Sequence, residues 1–536
     1  MNLRAIHSKL INPTIQLLLI VTITTLLIST GSLSSSDADH RLLVTHSLWM
    51  HGSPQVDNYA NEKLIVVIGK NGAKFVPWGI GQSLTMLPVD IIAHKLTAQF
   101  SIHEELREKM RAAIVVIFTF VPINVFSLIA SFRFLQELGF KNKPSILGAL
   151  GLLFGTTFLA YAQIHQENSL MYLLTLSGYL LNLMWLSSNS TGLLFLGSCA
   201  LGFNILVRLT GVIDIISVTL FVSSILLIQT KLRGWNLAFL RSRSLKYLTV
   251  CGPVYLSFIF LDRLYHWIRF GSFIGTYQTI WAEQVKSYRP NLPESFPFST
   301  SFSTGFWGTL FSPERSIFLF NPLLIITLIL LVRYWKEISY ELKFLIFSLI
   351  FLLLSNISFY ATWYDWQAGA AWGPRFATVP TQLLSLLSIP LLVQVWFSIK
   401  TNFEKIVYKF IIFISILIQL SSVILDYNLE SSQISILPRP VFVIVQRFIN
   451  LAAIWTGNLD NWRLKPSNIS SLEIQKFTTP VFLPWNAADK LPSQLCFVLQ
   501  GLWFIGLAIL IFLVSLSMRN LFLRQRGGND GQFKGR

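Results

Sequence analysis

Apolar runs long enough to cross a lipid bilayer recur along almost the whole of this 536-residue chain, and they restrict its fold more than any motif does. A hydrocarbon core about 30 Å thick is crossed by about 20 apolar residues in a helix. Roughly twelve segments meet that requirement. They lie near 12–31, 112–132, 145–163, 168–187, 191–208, 211–229, 245–262, 316–332, 343–360, 376–398, 408–426 and 495–518. The expected fold class is an all-α polytopic membrane protein with about 12 transmembrane helices. Only 12% of residues are charged, against about 25% in an ordinary soluble domain, which excludes that class.

The net charge of +17 is a matter of topology rather than of nucleic-acid binding. No basic stripe with interleaved aromatics occurs, and many lysines and arginines cluster in short loops. With the amino terminus in the cytoplasm, five basic clusters, including Arg133/Lys141/Lys143 and Arg519/Arg524/Arg526, fall on one side, as the positive-inside rule requires. Both termini are then cytoplasmic, the second as a polar tail over 519–536. No A-x-A-like site follows Thr30, so the first apolar run is expected to stay as an anchor rather than be cleaved. Cys199, Cys251 and Cys496 are too widely spaced to suggest a disulfide framework or a Cys-based zinc site.

The loops are unequal. Cytoplasmic connections are short, whereas 32–111, 263–315 and 427–494 are long and external, so function is expected to face outward. The chain divides into a membrane region over 1–426, an external loop or small cap over 427–494, and a last span over 495–518. Within 438–455 an apolar stretch is interrupted by Arg447 and reads as interfacial or buried in the cap. The first external loop carries two amphipathic pieces, one from Leu42 and one over 79–99, each suited to lie along the membrane surface.

Asp37 and Asp39 stand where the first apolar run emerges. Three readings of this D-x-D pair are open. Either aspartate could cap the following helix, one could act as general base toward an acceptor hydroxyl, or the pair could share a divalent cation. Lys74 precedes the second amphipathic piece, where it either snorkels to water or holds a lipid-linked phosphate. Tyr59 is a further ligand candidate. Glu167 and Arg208 sit at the outer ends of spans, where ionisable groups tend to face a cavity or a partner, and Asp214 is placed to pair with Arg208. Arg269, Arg315 and Arg375 lie in aromatic-rich stretches at span ends; Arg375 follows a Trp- and Gly-rich loop that suits sugar stacking and phosphate contact.

Four stretches carry a resemblance: SDADHRLLVTHSLWMHG, KFVPWGIGQSLTMLP, FSPERSIFLFNP and WGPRF. Together with the span layout they resemble the C-type (GT-C) superfamily of membrane glycosyltransferases, in particular the bacterial relatives of protein O-mannosyltransferases and lipid A aminoarabinose transferase. The resemblance implies a bacterial inner-membrane enzyme. It implies transfer of a sugar, with inversion, from a polyprenyl-phosphate carrier to a lipid, glycan or protein hydroxyl on the external face. By position Asp37 is similar to the family's catalytic aspartate and Lys74 to a lysine of the lipid-phosphate site, with Arg208, Arg269 and Arg375 as further cations for that phosphate. Many relatives have an acidic residue directly after the first aspartate, where this chain has Ala38; the second carboxylate is Asp39, for the acceptor or a cation. A transporter or flippase of lipid-linked saccharides is the alternative, which would favour charges along a path through the spans.

Overall fold

The computed structural model describes residues 12–57, 65–434, 437–458, 479–486 and 493–523. Tyr59 and the tail beyond 523 lie outside them. Each of the twelve apolar segments is helical: α1 (Pro13–Leu27), then after the first long loop α4 (Glu104–Glu137), α5 (Asn142–Gly155) with α6 (Phe158–Ile164), α7 (Asn168–Ser188), α8 (Thr191–Val207), α9 (Gly211–Leu232), α10 (Leu237–Phe270), α13 (Ile317–Phe320) with α14 (Leu323–Tyr334), α15 (Tyr340–Ala361), α16 (Arg375–Val395), α17 (Asn402–Ser422) and α21 (Ser493–Leu523). Seven are both long and apolar enough to cross a membrane, and the pair α5 and α6, bent by 58°, makes an eighth if taken as one span. This is an integral membrane protein. The remaining four segments are short (α1, α8), interrupted (α13 and α14), or charged at one end by Glu404, Lys405 and Lys409 (α17).

The described parts of the three long loops fold into short helices packed on the bundle. α2 (Ser36–His51) and α3 (Gly81–Thr97) lie side by side in the same direction in the first loop, Arg41 beside Gln82 and Trp49 beside Asp90, and between them in sequence comes a two-residue antiparallel ladder of β1 (Val67–Ile68) and β2 (Lys74–Phe75). The second loop holds α11 (Tyr277–Tyr288) and α12 (Phe302–Phe311); the third holds α18 (Asn428–Ile434), α19 (Val443–Thr456) and α20 (Leu483–Asn486). Arg447, which interrupts the apolar stretch of α19, is fully buried against Glu430 at 2.7 Å and donates to the Leu425 carbonyl at 2.9 Å.

Both amphipathic pieces of the first loop bury polar residues. α2 starts at Ser36, six residues before Leu42, and buries Asp37, His40, Arg41, Thr45 and Ser47. α3 buries Gln82, Ser83 and Asp90 while Ile92 and Leu96 stay exposed. The exposed apolar residues remain free to meet lipid, while the buried polar ones pack on protein. The polar faces meet each other and the bundle: Thr45 donates to the Ser83 carbonyl at 3.1 Å, Ser83 to the Arg41 carbonyl at 2.9 Å, and Trp49 to Asp90 at 2.8 Å.

Candidate functional site

Four helix ends converge, the first of them the start of α2. Glu167 caps the start of α7, Arg208 the end of α8, and Arg375 opens α16, while Asp37 and Arg41 lie in the first turns of α2. The macrodipole favours Glu167 and Asp37 at amino-terminal ends and Arg208 at a carboxyl-terminal end; Arg375 alone sits at the unfavourable pole. Its carboxylate partners offset this. One Arg375 Nη donates to Asp37 and, at 3.0 and 3.1 Å, to both oxygens of Glu167. Arg41 donates to Glu167 at 2.8 Å, and Arg208 makes a further ion pair with it. Glu167 is 1% exposed and Asp37 9%. Burial works to raise the Glu167 pKa, but Arg375, Arg41 and Arg208 together hold it well below the usual carboxylate range.

Close backbone approach builds this arrangement. A Cβ on Gly79 would fall 2.3 Å from the Leu206 carbonyl oxygen, and one on Gly81 would fall 2.6 Å from the Val207 nitrogen, so the WGIGQ segment presses flat against the end of α8. That contact delivers Gln82, whose Oε1 accepts from Arg41 at 3.0 Å and whose Nε2 donates to the His165 carbonyl at 2.9 Å. The corner between α6 and α7 is fixed from three sides. Gln163 donates to the carbonyls of Ile28 and Val423, Gln166 to Ser35, and Asn168 to the Arg375 carbonyl. Arg208 also lies over the stacked rings of Tyr360 and Phe376, which are 3.9 Å apart.

The structure thus brings Asp37, Glu167, Arg208 and Arg375 together. Arg41 and Gln82 join them and were not singled out from the sequence. Asp214 does not pair with Arg208; it accepts from Thr175 and Asn204, both at 3.1 Å, because Glu167 lies nearer the guanidinium. Arg269 is buried and donates to the carbonyls of Val76 and Trp78, pinning the segment after β2. Arg315 is likewise spent on backbone, on Gly369 and Ala371, and on the Tyr427 hydroxyl, so it moulds the loop that leads to Arg375. Lys74 is exposed, its backbone N–H bound to Asp57 at 2.9 Å, and makes no ion pair with the cluster among the described residues.

The helix decides between the open readings of the D-x-D pair. Neither aspartate caps α2: Ser35 is the capping residue, and its carbonyl takes the Ala38 and Asp39 N–H groups. Residues i and i+2 of a helix do not face each other, and here Asp37 is buried while Asp39 is exposed. The motif therefore does not converge on one shared cation. Among the described residues no group of three or more His, Cys, Asp and Glu side chains is disposed to hold a metal ion.

Asp39 is exposed by surface area, yet the protein crowded around its carboxyl group withholds enough water to push its pKa up to about 7. Between the unfolded value near 3.9 and about 7, the folded state then holds a proton that the unfolded state has lost, so this group lowers stability as pH rises through that window. Asp39→Asn is expected to melt above wild type at pH 8, by a small margin because of the exposure, with the difference vanishing toward pH 4. Thermal melts in detergent at both pH values check this; equal melting at pH 8 would mean that Asp39 titrates as a solvated carboxylate.

Comparison with known proteins adds little at this site. No protein-family model and no curated protein matches the sequence. A solved structure that does match is the crystal structure of ArnT from Cupriavidus metallidurans bound to undecaprenyl phosphate, 14% identical, with 84% of this chain and 72% of that chain covered and a TM-score of 0.37. At that score the likeness assigns no role to any residue. The roles below come from the geometry of this chain and the motifs of its sequence.

Proposed function

We propose that this protein is an inverting glycosyltransferase of the GT-C type, moving a sugar from a polyprenyl-phosphate carrier to a hydroxyl acceptor at the external face of a bacterial plasma membrane, with both termini cytoplasmic. The observation that carries this is Arg375, shared between Asp37 and Glu167: one guanidinium joins a candidate base to a group of arginines suited to a phosphate.

In the reaction the bond from the anomeric carbon to the phosphate oxygen breaks, and its electron pair stays on the phosphate. The acceptor oxygen bonds to the opposite face of that carbon, and its proton passes to Asp37. Arg375, Arg208 and Arg41 face the charge gained by the phosphate, which favours the transition state over the bound donor. Asp39, on the open side of α2, meets the acceptor. Lys74, exposed on β2, is the candidate first contact for an arriving lipid phosphate, and Arg269 holds the segment that follows it.

The test is purified protein in nanodiscs, incubated with a panel of polyprenyl-phosphate sugars and a membrane extract as acceptor, with release of free polyprenyl phosphate followed over time. Release with one donor is expected. Binding of a donor without release, together with its intact passage across liposomes containing the protein, would instead establish the transporter.

A further inference from the structure

Within the ion-paired cluster, the guanidiniums of Arg41, Arg208 and Arg375 stand against the carboxylates of Asp37 and Glu167. Three positive groups and two negative ones leave one unit of positive charge. Among the described residues, the neighbours in direct contact with these five are neutral, namely the Gln82 amide, the rings of Trp78, Tyr360 and Phe376, and the backbone, while the carboxyl groups of Asp214 and Asp365 act on Arg208 and Arg375 from beyond ion-pair distance. Shielding by water is slight around Glu167 and Arg41, which are 1% and 2% exposed, so an unbalanced charge is felt there far more than at an open surface.

A carrier bearing its sugar is a phosphodiester with about one negative charge, whereas the carrier left after transfer is a monoester with about −1.5 to −2 at pH 7. We infer that Glu167 sets the resting charge of this cluster to match the phosphodiester, so that the site takes the loaded carrier in preference to the spent one. The inference rests on the proposed donor class. Charge then tracks the chemistry step by step. When the acceptor proton lands on Asp37, the cluster rises to two positive units as the phosphate reaches its monoester charge, and the two stay balanced. When Asp37 returns that proton to water, the cluster falls back to one unit, the monoester is over-charged for the site, and the spent carrier leaves. Glu167 is a positioning residue in this scheme: among the described residues its carboxylate touches only the arginines, and its charge selects between substrate and product.

The experiment compares binding of two synthetic probes, farnesyl phosphate and its methyl diester, to purified full-length protein at pH 7.5. Wild type is expected to favour the diester. Glu167→Gln should move the monoester-to-diester affinity ratio toward the monoester by about tenfold, the scale of one added unit of charge in a partly screened site. Arg208→Gln should move the ratio the opposite way, and the double variant Glu167→Gln/Arg208→Gln should restore it. If Glu167→Gln does not yield folded protein, the Arg208→Gln shift and the restoration in the double variant still decide the matter. A residue that merely holds the arginines in place would weaken both probes alike, and an unchanged ratio in every variant overturns the inference while leaving the donor class intact. Wild type that binds neither probe would instead overturn the donor class itself.

Discussion

Arg375→Leu is expected to abolish transfer and lower stability together, whereas Arg375→Lys should keep most of the stability and little of the activity. Arg375 is the only side chain that links the α2 carboxylate to the Glu167 group among the described residues. Removing it leaves Asp37 largely buried without its guanidinium, and breaking a buried pair by deleting one partner costs about 3–5 kcal/mol. Its loss also takes one positive group away from the phosphate, which by analogy with deleting one preorganised donor slows the chemical step by about 10²–10³-fold. Lysine restores the charge as a point on a flexible stem, whereas the rigid planar guanidinium fixes the one Nη that serves Asp37 and both Glu167 oxygens. Thermal melts paired with carrier-release rates separate the two effects. Arg375→Leu protein that melts like wild type and still releases carrier would remove Arg375 from the site.

The helices were legible because hydropathy is a local property: each apolar segment is helical, although only seven or eight are long and apolar enough to cross a membrane, and the chain turns between α8 and α9 at Arg208, Leu209 and Thr210. The convergence of four helix ends was legible only in part. Asp37, Glu167, Arg208 and Arg375 could be suspected one at a time, since each is an ionisable group at the end of an apolar run. Arg41 was hidden by its position in a stretch read for its leucines, although its spacing of four from Asp37 places both on one helix face, and that was the available signal. Gln82 had a signal of a different kind, the G-x-G before it, which marks a backbone pressed against something. Arg269 and Arg315 show the opposite failure. Both looked like site cations, but their partners are carbonyl groups of loops whose conformation no periodicity encodes. The polar inner faces of α2 and α3 were missed for the same reason: an amphipathic pattern tells which residues share a face, not whether that face meets lipid or protein.

Asp37→Asn is expected to reduce transfer by about 10²–10⁴-fold, the range for removing a positioned general base, while folding is kept. The amide preserves the shape of the side chain and leaves an oxygen to accept from Arg375, which retains its bonds to Glu167. What it cannot do is take the acceptor's proton. The substitution also has a signature that a merely inactive variant would lack. Asparagine carries the same charge as a protonated aspartate, so the variant is held in the state that the cluster passes through just after transfer, with two units of positive charge facing the phosphate. Binding of the sugar-loaded carrier should therefore be retained, and binding of the spent carrier should tighten relative to it. Asp39→Asn, outside the ion-paired group, should leave that preference unchanged and alter only the response to the acceptor. Carrier-release assays and binding of free polyprenyl phosphate to wild type and both variants test this. Wild-type release by Asp37→Asn would end the assignment of Asp37 as base. Lost release with no tightening toward spent carrier would keep the base and refute the charge coupling between Asp37 and the phosphate.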